Sequence, residues 1–148
     1  MRVLVAAVML VAVAAAAQAQ TGARRPANNA STANITGYWA FETDTYSNGC
    51  KMTGVMTIRP DARGNHVCSI ETNEKCTDIE VRAKETCVAK RAGVDLLVTS
   101  TVTSVAPDVG YEPDDFELKI QNSSYMTGMM KSFNSAPVRF FRGDAPVS

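Results

Sequence analysis

The residues best able to do chemistry in this 148-residue chain are its four cysteines, Cys50, Cys68, Cys76 and Cys87, and its single histidine, His66. Tetrahedral zinc sites take two close ligand pairs, commonly C-x-x-C. No such pair occurs here, and His66 is near only Cys68, so no metal is expected. An even cysteine count instead points to two disulfides formed in an oxidising compartment. One histidine supports neither a His-rich metal centre nor a spaced Ser-His-Asp set, and Ser47, Ser69 and Ser100 lack a G-x-S-x-G context. The acidic group Glu112-Pro113-Asp114-Asp115, with Asp108 nearby, does not follow EF-hand spacing and is expected to be solvated loop charge. No cofactor is implied, and the chain is not expected to be an enzyme.

The elements that carry these residues begin after a leader. Met1-Arg2 precedes an apolar run, Val3 to Ala17, and Ala17-Gln18-Ala19 has the small-x-small form of a signal-peptidase site. The run is shorter than the ~20 residues that span a bilayer. A periplasmic or secreted protein is therefore expected, with residues 1–19 as signal peptide. The Ala-rich leader looks bacterial, which lowers the weight of the Asn34-Ile35-Thr36 and Asn122-Ser123-Ser124 sequons. Basic and acidic residues are balanced at 15 each. Losing Arg2 leaves about −1, so neither nucleic acid nor an anionic membrane surface is an expected partner. The remaining length suits one core. Residues 20–34 lack large apolar side chains and read as a flexible arm, with a barrel domain over 35–143 and a tail over 144–148.

From Gly37 onward the hydrophobic period is two. Trp39 and Phe41 share a face, and Met52, Gly54, Met56 and Ile58 alternate with Lys51, Thr53, Thr57 and Arg59. A third strand over 65–72 puts His66, Cys68 and Ile70 together, followed by a polar turn over 73–78. The next sets Ile79, Val81, Ala83, Glu85 and Cys87 on one face. After a turn at Arg91-Ala92-Gly93, Val94, Leu96, Val98 and Val102 share a face. Phe116, Leu118 and Ile120, then Met126, Gly128 and Met130, then Pro137 to Arg142 complete about eight strands. The fold class is all-β, a single antiparallel meander that closes as a barrel or folds as a sandwich.

The hairpins rank the three possible disulfide connectivities. A turn centred near Arg63 sets Cys50 opposite Cys76, and one near Thr77-Asp78 brings Cys68 to Cys87. Cross-strand neighbours on one face reach disulfide range, so Cys50–Cys76 with Cys68–Cys87 is predicted. Met52, Met56, Met126 and Met130 all fall on inward faces beside Gly54 and Gly128. Thioethers fill irregular cores and also line adaptable apolar pockets, so these four are the candidate ligand-binding residues.

Gly37-Tyr38-Trp39 at the start of the first strand resembles the G-x-W motif of the lipocalin and wider calycin group. That resemblance implies a calycin-like barrel in which Trp39 plugs one end and an arginine of the last strand, Arg139 or Arg142, covers its ring. Gly37, Trp39, Arg139 and Arg142 are thus the implied structural set. Thr36-Gly37-x-Trp39 also looks like the first strand of avidin-type barrels, although one tryptophan leaves their aromatic cage unaccounted for. Periplasmic metalloprotease-inhibitor barrels are similar in pairing a signal peptide with an N-terminal arm. The expected function is a non-enzymatic exported binding protein holding a small apolar ligand or a protein partner. The alternatives are a protease inhibitor acting through residues 20–34 and a structural envelope component.

Overall fold

The computed structural model describes residues 30–132 and 135–144; the signal segment, residues 20–29 of the arm and residues 145–148 of the tail lie outside them. The alternation in the sequence becomes eight strands: β1 (Gly37–Thr43), β2 (Lys51–Pro60), β3 (His66–Lys75), β4 (Glu80–Ala92), β5 (Asp95–Ala106), β6 (Asp115–Ile120), β7 (Tyr125–Lys131) and β8 (Ser135–Arg142). Each pairs antiparallel with its neighbours in chain order, and β8 returns to β1, so the sheet is a closed barrel. Closure removes the exposed edges that an open sheet would offer.

Period two decides which side chains face inward. In β4 every second residue from Val81 to Ala89 is buried and the residues between are exposed. The middle of the barrel is filled. Phe41 and Phe140 stack at 4.8 Å, and Phe116 meets both edge-on at 5.4 and 5.3 Å. Met56, Ile58, Ile70, Leu96, Val98 and Met126 pack around this trio. Gly54 makes room for that packing, and Gly128 for the close approach of the β6 backbone. A Cβ on Gly54 would lie 2.6 Å from the Phe41 ring, and one on Gly128 only 1.9 Å from the Glu117 carbonyl oxygen.

Both disulfides form as the hairpins predict, Cys50–Cys76 and Cys68–Cys87. Cys68 and Cys87 are direct register partners. Four boundaries differ from the sequence reading. β3 continues through Lys75, because Asn73 and Glu74 pair with Arg82 and Val81. Ile79 is not inward but sits in the β3–β4 turn, where its carbonyl accepts from the Cys76 amide, and it is 43% exposed. β4 runs on to Ala92, so the turn to β5 is Gly93-Val94 and Val94 is exposed rather than core. β8 begins at Ser135, ahead of the expected Pro137.

The barrel has two unlike ends. At one, Ile35 is buried and Trp39 is fully enclosed, its indole N–H donating to the Ile35 carbonyl at 2.8 Å. Ala30 and Ala33 also pack there, and Arg91 donates to both of their carbonyls. The described part of the expected arm, residues 30–34, therefore lies against the barrel. The opposite end carries the Thr43-to-Lys51 and Ala106-to-Asp115 connections.

Candidate functional site

That opposite end begins with Glu85, which strand alternation forces inward between Ala83 and Cys87 on β4. Among the described residues, Glu85 and Asp114 are the two charged side chains that are buried, at 2% and 0% exposure. A register shift between Lys84 and Glu85 marks a bulge, a device that re-aims side chains at barrel rims. Pro113 blocks regular structure just ahead of β6 and leaves Asp114 at the end of the connection, over Glu85.

The hydrogen bonds are lopsided. Glu85 Oε2 accepts from the Ser100 hydroxyl and, at 3.0 Å, from the Asp114 amide. Asp114 Oδ2 accepts from the Tyr111 hydroxyl at 2.8 Å, and that hydroxyl lies 3.2 Å from Thr72 Oγ1. Yet Glu85 Oε1 and Asp114 Oδ1 are buried without a partner. A buried acceptor left unmatched costs about 1–3 kcal/mol, more when charged. Burial first, and then hydrogen bonding and charge from Glu85, push the Asp114 carboxyl up to about 9. At neutral pH Asp114 therefore keeps its proton.

A cavity of about 550 Å³ opens over this pair. Tyr46, Tyr111, Glu74 and Asp114 form its polar wall, and Met52 and Met130 its apolar floor. The Tyr46 hydroxyl donates to Glu74. Burial pushes both tyrosines upward, aided by Glu74 at Tyr46 and by the Asp114 charge at Tyr111, so both remain phenols. No basic side chain is among the residues lining the cavity. Such a wall accepts hydrogen bonds and stabilises positive charge. Cys50, Glu74 and Cys76 also bring donor atoms within 4.8 Å of one another. The two sulfurs are bonded to each other, so they offer no thiolate to a metal.

The four candidate methionines divide. Met52 and Met130 reach the cavity, whereas Met56 and Met126 are buried in the filled middle. Gly37, Trp39 and Arg142 belong to the far end, where the Arg142 guanidinium lies 4.4 Å from the Trp39 ring centre. Arg139 does not reach Trp39 and instead pairs with Asp44 at 2.8 Å and Glu42 at 3.4 Å on the outer wall. Asp114 is not solvated loop charge, although Glu112 and Asp108 are exposed. Sequence reasoning missed Tyr46, Glu74, Glu85, Tyr111 and Asp114. The available signal was Glu85, an acid in the inward phase of a clean alternation.

The fold and the site together define a small closed β-barrel with one plugged end and one acidic mouth. No protein-family model matches the chain, and no curated protein matches it. Among solved structures it is similar to a fluorescence-activating β-barrel designed de novo, with a TM-score of 0.51 and 15% identity, over 78% of this chain and 98% of the design. At that identity the likeness speaks for the fold alone.

Proposed function

We propose that this chain is an exported, non-enzymatic binding protein, a calycin-like barrel that holds a small molecule at its acidic mouth. The observation that carries the reading is the cavity of about 550 Å³ at one end of an otherwise filled barrel, with buried, unpartnered carboxyl oxygens beneath it. Pockets of this size with few, convergent polar groups are where small ligands bind. The methionine floor suits an apolar body, while the polar wall demands a hydrogen-bonding head, so the ligand is amphipathic rather than purely apolar. A barrel of similar fold was designed to be fluorescence-activating, which is compatible with a binding role. Two disulfides and the leader support export. Arg91 and Arg142 tie residues 30–34 to the plugged end, which favours placing function at the other end.

Gly110 supplies the test. It lines the cavity, and a Cβ there would meet nothing within 4 Å. Gly110→Trp should fold normally and fill the mouth. The exported chain, recovered from its own host and examined by native mass spectrometry, should carry a small-molecule adduct that Gly110→Trp lacks. An identical adduct pattern in both proteins, or none in either, would overturn the reading.

A further inference from the structure

We propose that the mouth selects protonated primary amines carrying an aromatic or apolar body, with the ammonium donating to the unpartnered oxygen of Asp114 and held by the charges of Glu85 and Glu74. This rests on the binding role proposed above and deepens it to a ligand class.

Three observations carry it. First, Asp114 Oδ1 and Glu85 Oε1 have no donor beyond the single proton on Asp114, on side chains at least nine-tenths buried, and Asp114 lines the cavity. What is missing is an N–H or O–H donor, and a charged one forms the stronger bond. Second, the titratable groups facing the cavity are all acidic or phenolic. They are Glu74 on β3, Glu85 behind it on β4, Tyr46 in the β1–β2 connection, and Tyr111, Glu112 and Asp114 ahead of β6. An anionic head would meet only repulsion there. Third, the remaining wall is two phenol rings, two thioethers, Gly110 and Ser132. The rings and thioethers attract an organic cation and pack its body.

The charge balances without a co-reactant. The ligand enters as an ammonium, and Asp114 gives its proton to water. The site then holds two carboxylates against one new cation. Binding should therefore release protons, and affinity should rise with pH across the neutral range while the amine stays charged.

Calorimetry on the full mature chain tests this with 2-phenylethylamine, its neutral isostere 2-phenylethanol, the anion 3-phenylpropionate, and calcium chloride alone. The amine should bind at least about tenfold tighter than the alcohol, as a charge-assisted bond implies, and the acid should not bind. Repeating the titration in buffers of different ionisation enthalpy should show close to one proton released per amine. Asp114→Asn and Glu85→Gln should erase the amine's advantage but keep alcohol binding, which also reports that the variants are folded. Equal binding of amine and alcohol, or amine binding without proton release, overturns this proposal and leaves the binding role standing. If no organic probe binds and Gly110→Trp changes nothing, both fall. Calcium binding that Asp114→Asn abolishes replaces the amine with a metal and overturns the ligand class.

Discussion

Arg142 holds its guanidinium 4.4 Å from the centre of the Trp39 ring while donating to the carbonyls of Thr36, at 2.8 Å, and Asn34. One side chain thus covers the plug and pins the entering chain. The planar fork is needed for both tasks, and a lysine cannot reproduce it. Arg142→Lys should lower unfolding free energy by about 1–3 kcal/mol, the combined scale of a desolvated cation–π contact and one or two lost hydrogen bonds. Trp39→Ala should cost more, about 3–5 kcal/mol. Urea denaturation measures both, and an unchanged midpoint for either variant would remove the plug from this account.

Gly37 permits that arrangement. Its φ is +125°, and a Cβ would lie 2.7 Å from Arg142 Nη1. Gly64 also has positive φ, +82°, but open space around it. Gly64→Ala should therefore lose only about 1 kcal/mol, from backbone strain alone. Gly37→Ala should lose about 1–3 kcal/mol and also displace the guanidinium. Tryptophan fluorescence separates the two: the Gly37→Ala spectrum should shift, while that of Gly64→Ala should not.

The parts of the molecule readable from sequence are those that strand alternation controls. Cys68 and Cys87 fall opposite each other because the β3–β4 register follows from the turn between them, and Trp39 and Phe41 share a face because the period is two. The mouth escaped because it is assembled across the chain. Asp114 sits in a loop rich in Pro, Gly and acid, and its composition matches a solvated loop. Only the return of that loop over Glu85 buries it. Tyr111 and Thr72 are 39 residues apart in sequence, yet their hydroxyls meet. Val94 misled for a local reason: Gly93, with φ +64°, places it in a two-residue turn rather than a strand.

The Cys50–Cys76 disulfide bears on the mouth as well as on stability. Tyr46 and Cys50 are bridged, the Tyr46 amide donating to the Cys50 carbonyl at 2.9 Å, and the Tyr46 hydroxyl closes on Glu74. Replacing both cysteines with serine should cost about 3 kcal/mol through a freer unfolded chain. It should also weaken ligand binding, because Tyr46 loses its tether. The Cys68–Cys87 pair lies farther down the wall. Its double serine variant should be destabilised at least as much, since it puts hydroxyls into the core, yet at temperatures where it stays folded it should bind ligand like the parent. Equal effects of the two variants on binding would show that the first disulfide does not position Tyr46.

Asp114 should give the protein an inverted response to pH. Its carboxyl is pushed up to about 9 in the fold, against an ordinary 3.8. Between those values the folded state keeps a proton that the unfolded state has released, so stability falls as pH rises, by at most about 1.4 kcal/mol per unit. Glu42, Asp61 and Glu80 act in the opposite sense. Hydrogen bonds from Lys51, Asn65 and Arg82, respectively, lead in holding them below the usual carboxylate range, so their contribution is lost in acid. Stability should therefore peak near about pH 5 and decline toward pH 9. Asp114→Asn replaces the protonated acid with a neutral isostere and removes the alkaline limb. It should match the parent only below the ordinary carboxylate range, and exceed it by a margin already present at pH 5 that grows through pH 7 and 9. Urea midpoints at the three pH values decide the matter, and a parallel decline in both proteins would show that Asp114 does not hold the proton.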